Sequence, residues 1–150
     1  MMFIRCNMKK FYIIDGQKFE DHRGKIMANN TFDMRCVVRH YVLFQTDNTV
    51  IRAWQGHKIE TKWMKCLYGS FTISLIACHD VASPTGKETI DVVKLNGESG
   101  SLLCVPGGYY TGIKGDQAHS SLIVFSDFTL EQSLEDDFRK PLDFWNFKCN

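Results

Sequence analysis

"SFTISLIAC", residues 70 to 78, decides the fold. Phe71, Ile73 and Leu75 fall on one side of a period of two, and Thr72 and Ser74 on the other. Side chains alternate across a β-strand, whereas a helix repeats about every 3.6 residues. The stretch is therefore expected as a strand with one apolar and one polar face. Working outward, "TIDVVKLN" (89–96) ends at Asn96-Gly97, a tight-hairpin signal. "SLLCVP" (101–106) stops at Pro106-Gly107-Gly108, and "SSLIVFSD" (120–127) follows. Toward the N-terminus, "FYII" (11–14) ends at Asp15-Gly16 and "CVVRHYVLF" (36–44) at Thr46-Asp47-Asn48. Only "TLEQSLEDDFRKPLDFW" (129–145) reads as a helix. Thr129 and Gln132 fit a capping box, Pro141 ends the segment, and "LEDDFR" is its solvated charged face. Many short strands between turns predict an all-β jelly-roll barrel or sandwich with a small C-terminal helix. A barrel also hides its edge strands.

The 150 residues suit one domain spanning 1–150. A formal charge of +1 gives no field suited to nucleic acid. The 6 cysteines include no C-x-x-C pair, and "MMFIRCNMKK" carries no long apolar run. They are expected as reduced, mostly buried thiols of a cytoplasmic protein. No segment is apolar for long enough to cross a membrane.

"IRAWQGHK" (51–58) carries the candidate chemistry. Gln55 and His57 are two apart and share a strand face, while Trp54 packs on the other, as does Trp63 on its own strand. A neutral imidazole is a proton shuttle near pH 7. The competing reading is a hydrogen-bonded core histidine. Gln55 cannot take a proton but can hold a hydroxyl or keto oxygen. Arg39 and Arg52 lie in strand contexts, where an arginine needs an anion, either a phosphate or an acidic side chain. Tyr41 and Tyr110 are candidate phenolic acids, with barrel packing as the alternative.

Six stretches, in order from Asp21 to about Arg139, resemble a known family. "RAWQGHK" (52–58) resembles the R-G-x-H-x-H-K stretch of the nucleotide-sugar 3,4-ketoisomerases, small cupins acting on dTDP-4-keto-6-deoxy sugars. "KWMKCLYGSF" (62–71) resembles the next strand in those enzymes and in the dTDP-4-dehydrorhamnose 3,5-epimerases. "SPTGK" (83–87) is similar to the epimerase S-P-T-x-G-K turn, and "VPGGYYTGI" (105–113) to I-P-x-G-x-x-H-G-F. "EDHRGKI" (20–26) is similar to a D-x-R-G motif of both groups, and "SDFTLEQSLEDDFR" (126–139) to the S-D-Y…D-Y-x-R ending of the ketoisomerases.

The resemblance implies a double-stranded β-helix, the cupin jelly roll. It implies a nucleotide-sugar substrate, proton abstraction and return without metal or cofactor, and a place in bacterial surface-polysaccharide synthesis. His57 matches the second motif His and is the expected base. Arg52, Arg23 and Lys62 match substrate-binding positions, and Arg23 resembles a diphosphate contact made across a dimer. Tyr41 follows "VVRH" where the ketoisomerases carry R-V-Y. The family's dimers exchange an N-terminal strand, for which "KKFYIIDG" (9–16) is the candidate. The departures are as informative. Gln55 stands for the family's first His, Thr111 for the later one, and Ile123 for the epimerase Tyr. Thr61 falls where a metal-binding cupin has its Glu, so His57 lacks the three or four ligands a divalent site needs. The alternative implied by these losses is a cupin that binds a nucleotide sugar without turning it over.

Overall fold

The computed structural model describes residues 9–149. Two five-stranded antiparallel sheets face each other. The first runs in the order β1 (Tyr12–Ile14), β9 (Leu102–Val105), β6 (Lys62–Tyr68), β11 (Ser120–Ser126), β4 (Arg39–Gln45). The second runs β12 (Phe138–Arg139), β5 (Ile51–His57), β10 (Tyr109–Gly115), β7 (Ser70–Ala77), β8 (Ile90–Asn96). A separate hairpin joins β2 (Gln17–Asp21) to β3 (Gly24–Ala28), and one helix, α1, spans Leu130–Glu135.

The core between the sheets contains Phe71, Ile73 and Leu75, the apolar face of the deciding strand, against Met64, Leu103, Leu122 and Val124. The other face of that strand is not open to water. Thr72 and Ser74 are both fully buried, and Thr72 Oγ1 lies 2.7 Å from the Asp116 carboxylate. A second aromatic layer lies over Trp54 and Tyr110, where Trp145, Phe144 and Phe147 pack after β12. Two glycines permit this approach: a Cβ on Gly112 would meet the Trp54 ring at 2.7 Å, and one on Gly56 the Tyr110 ring at 2.8 Å. Trp54 Nε1 also donates to the Leu142 carbonyl. Trp63 packs outside the first sheet with Leu102, Cys104 and Phe32. Both tryptophans thus turn away from the barrel interior. Cys66, Cys78 and Cys104 are buried free thiols, and Cys36 and Cys149 are exposed ones; Cys6 lies outside the described residues.

Two expectations are corrected. Asn96-Gly97 does not close a hairpin, because β8 pairs only with β7 and β9 belongs to the other sheet. Asn96 Oδ1 instead accepts from the Glu98 and Ser99 amides, turning the chain from one sheet to the other. The helix has its Thr129–Gln132 capping box but stops at Glu135, well before Pro141. The chain then pairs with β5 as β12, and Asp136 of the "solvated" charged face is buried. Tyr12–Ile14 pairs with β9 of the first sheet.

Candidate functional site

Antiparallel pairing sets His57 opposite Tyr109 and Gln55 opposite Thr111. Opposed residues project to the same face, here the barrel interior. On the facing sheet, Arg39, Ser126 and Lys62 form one cross-strand row, and Tyr41, Val124 and Met64 the next. Between them lies a cavity lined by His57, Glu60, Lys62, Met64, Val105, Pro106, Tyr109 and Thr111. It offers about 10 Å³ to the centre of a water-sized sphere, room for about one water.

The turn after β5 organises the polar wall. The Asp136 carboxylate, just past α1, accepts from the Lys58, Ile59 and Glu60 amides at 2.8, 2.9 and 2.8 Å. That turn brings the Glu60 carboxylate, fully buried, 3.1 Å from His57 Nδ1. Glu60 also accepts from Ser126 Oγ at 2.5 Å, Ser133 Oγ at 2.7 Å and Arg39 Nη2 at 3.3 Å. His57 Nδ1 lies 2.7 Å from the Asp136 carbonyl oxygen. Both neighbours of Nδ1 are acceptors, so Nδ1 carries the proton in the neutral ring. Nε2 is then the lone-pair nitrogen, and it is buried without a partner.

Burial, followed by the nearby Lys62 ammonium, holds His57 below the ordinary imidazole value; Glu60 and Asp136 pull the other way. The unfolded chain therefore binds a proton first as pH drops below about 6.5. The stability His57 contributes is full above that pH and is lost as pH falls through its folded-state value. Thermal unfolding between about pH 7.5 and 5 should show the wild type losing more Tm than His57→Gln. Parallel curves would contradict this.

Lys62 is 6% exposed and faces the cavity. Burial lowers its pKa, partly offset by Glu60. Its Nζ lies 3.4 Å from Gln55 Oε1, while Gln55 Nε2 donates to Asp137 Oδ1 at 3.0 Å. Both ends of the Gln55 amide are thus occupied. Tyr41 is half-buried and faces inward, with Arg39 5.3 Å from its ring centre. Burial raises its pKa, which keeps the phenol protonated.

Of the candidates from sequence, the fold brings His57, Gln55, Lys62, Thr111, Tyr41 and Arg39 to the interior. Arg39 is committed there to Glu60 and to the Phe128 carbonyl, the acidic partner rather than a free anion site. Tyr110 is corrected: it faces the outer aromatic layer, and its hydroxyl donates to the Val81 carbonyl at 2.7 Å. Arg52 is exposed and paired in register with Ile113, at the far end of β5 from His57. Arg23 sits at the β2–β3 turn, where Asp21 holds it at 2.6 Å. Ile123 is not the inward position of β11, since Leu122 and Val124 fill the core. Sequence reading missed Glu60, Asp136 and Tyr109. Among the described residues, no group of three or more His, Cys, Asp or Glu side chains is placed to hold a metal ion.

No family model matches the chain, and no curated protein does. Solved structures do match. The 3,4-ketoisomerase QdtA from Thermoanaerobacterium thermosaccharolyticum, in complex with TDP, superposes with a TM-score of 0.69 at 18% identity, over 91% of this chain and 93% of that one. The fold is the cupin barrel of the nucleotide-sugar ketoisomerases and epimerases. The TDP-quinovose 3,4-ketoisomerase WlaRB from Campylobacter jejuni gives 0.68 at 22% identity, over 91% and 98%. The dTDP-4-dehydrorhamnose 3,5-epimerase from Bacillus anthracis gives 0.70 at 17% identity, over 91% and 81%. No helix among the described residues is long and apolar enough to cross a membrane.

Proposed function

We propose that this cupin is a nucleotide-sugar ketoisomerase or epimerase acting on a dTDP- or UDP-linked 4-keto-6-deoxy sugar. The observation that carries the reading is the buried, unpartnered His57 Nε2, on a ring that lines the cavity and whose other nitrogen is fixed. Protons on carbons beside a ketone are acidic. His57 Nε2 takes one, and the enolate oxygen is held by the Lys62 ammonium on the facing sheet. Tyr41, protonated and inward, supplies the returning proton. Return to the opposite face of the same carbon inverts it, whereas transfer between C3 and C4 through an enediol moves the ketone. Neither outcome changes the redox state of the sugar as a whole. Thr111 contacts the sugar. Arg52 meets the diphosphate, and Arg23, on its projecting hairpin, reaches the diphosphate of a partner subunit in a homodimer. The pathway is surface-polysaccharide synthesis in the cytoplasm.

The one-water cavity and the doubly bonded Gln55 favour a second reading, in which the barrel binds such a sugar without turnover. Deuterium uptake from D₂O into TDP- and UDP-4-keto-6-deoxy sugars, followed by NMR, separates the two. Exchange at C3 or C5 that disappears in His57→Asn is the expected result, and the labelled carbon names the reaction. Binding without exchange establishes the second reading. Absence of binding overturns both.

A further inference from the structure

Gln55 stands where the related enzymes carry a histidine, and it faces the interior, yet it has no free hydrogen-bonding end. Its neighbours dictate its orientation. The Asp137 carboxylate can only accept, and the Lys62 ammonium can only donate. The amide must therefore turn Nε2 to Asp137, at 3.0 Å, and Oε1 to Lys62, at 3.4 Å. Asp137 is fixed in turn, because the same Oδ1 accepts from Arg139 Nε at 2.9 Å. The β12–β5 pairing places Arg139 directly opposite Gln55, so the backbone register supports this chain of contacts.

Lys62 is the group this arrangement serves. It is buried opposite the His57 strand. The acidic side chains acting on it are Glu60 and Asp137, and the basic ones are Arg39 and Arg139. Glu60 is already engaged with His57, Arg39, Ser126 and Ser133. The acceptor that Lys62 meets is therefore a neutral carbonyl. A carboxylate in that place would neutralise the ammonium. A carbonyl fixes its direction and leaves its charge available to an oxygen anion forming in the cavity.

We propose that Gln55 is a positioning residue: held by Asp137, it aims the Lys62 ammonium at the enolate oxygen of the substrate. This rests on the isomerase reading, but it is testable apart from it. The test follows Lys62 by NMR pH titration of lysine-labelled protein, with backbone spectra confirming the fold of each variant. Gln55→Glu should raise the Lys62 pKa by about one unit or more, and Gln55→Leu should lower it. Asp137→Asn lets the amide turn around, so it should lower the Lys62 pKa more when Gln55 is present than in the Gln55→Leu background. Equal effects in the two backgrounds, in folded protein, would show that Asp137 acts on Lys62 directly, and would overturn the proposal. In the deuterium assay, Gln55→Leu should slow exchange at saturation by roughly tenfold or more with KM little changed. A change confined to KM would assign Gln55 to substrate binding instead and also overturn the proposal. Should the wild type catalyse no exchange, the isomerase reading fails, while the titration still decides whether Gln55 places Lys62.

Discussion

Glu60→Leu should lower the stability of the folded chain by roughly 3–5 kcal/mol, the range for removing one partner of a buried ion pair. Leucine fits the space but accepts nothing. It leaves the Arg39 guanidinium and the Ser126 and Ser133 hydroxyls facing an apolar side chain, while the His57 Nδ1–H keeps the Asp136 carbonyl. Glu60→Gln keeps one oxygen acceptor and should cost about 1–3 kcal/mol. Urea unfolding reads both values, and an unchanged m-value shows that the denatured state is unaffected. The same variants act on the candidate base. Glu60 pulls the His57 pKa upward against burial, so its removal should lower that pKa further, which histidine NMR detects directly. A Glu60→Leu protein as stable as the wild type would mean that the three donors find water or one another.

Asp136→Ala should be nearly as damaging, at about 3 kcal/mol, although the residue lies far along the chain from the turn it supports. One carboxylate satisfies the successive amides of Lys58, Ile59 and Glu60, and alanine leaves them without an acceptor. Hydrogen exchange of those amides is the sharper measurement. They should be protected in the wild type and exchange far faster in the variant, while the β6–β11 amides change only with global stability. Asp136→Asn keeps a carbonyl oxygen for the turn and should fall between the two. Unchanged protection at residues 58–60 in Asp136→Ala would show that the carboxylate does not hold the turn.

Alternation made much of the barrel legible. The period of two in residues 70–78 gave the strand and its core face, and the spacing of Gln55 and His57 gave their shared face. The same rule, applied strictly, would have separated Thr111 from Tyr110. Neighbours on a strand point to opposite sides, so with Thr111 inward the second inward residue is Tyr109. Glu60 was obscured differently. It lies beyond the end of the strand, where alternation gives no direction, and only the turn pinned by Asp136 brings it under His57. A His followed by a carboxylate three residues later, across a short turn, is the available signal. Asp136 was hidden because its partners are backbone amides roughly 77 positions earlier, which leave no mark on local composition. Thr72 and Ser74 mislead for a related reason. Their polarity suggests solvent, but this strand is covered on both faces: Thr72 bonds Asp116 there, and Ser74 Oγ is buried without a partner.

The pinning of the residue 58–60 turn by Asp136 has a consequence for biosynthesis. A ribosome releases residues in order, so His57 and Glu60 emerge long before Ser126, Ser133 and Asp136. Throughout that interval the turn has no carboxylate to gather its amides, and Glu60 lacks both serine hydroxyls. The apolar strands can begin to collapse, but the polar wall around His57 cannot take shape until the segment through Asp136 has cleared the exit tunnel. Such late, long-range closure is slow to nucleate. A nascent chain arrested at residue 125 would hold barrel strands without the assembled wall around His57, which would form only once synthesis had passed the helix.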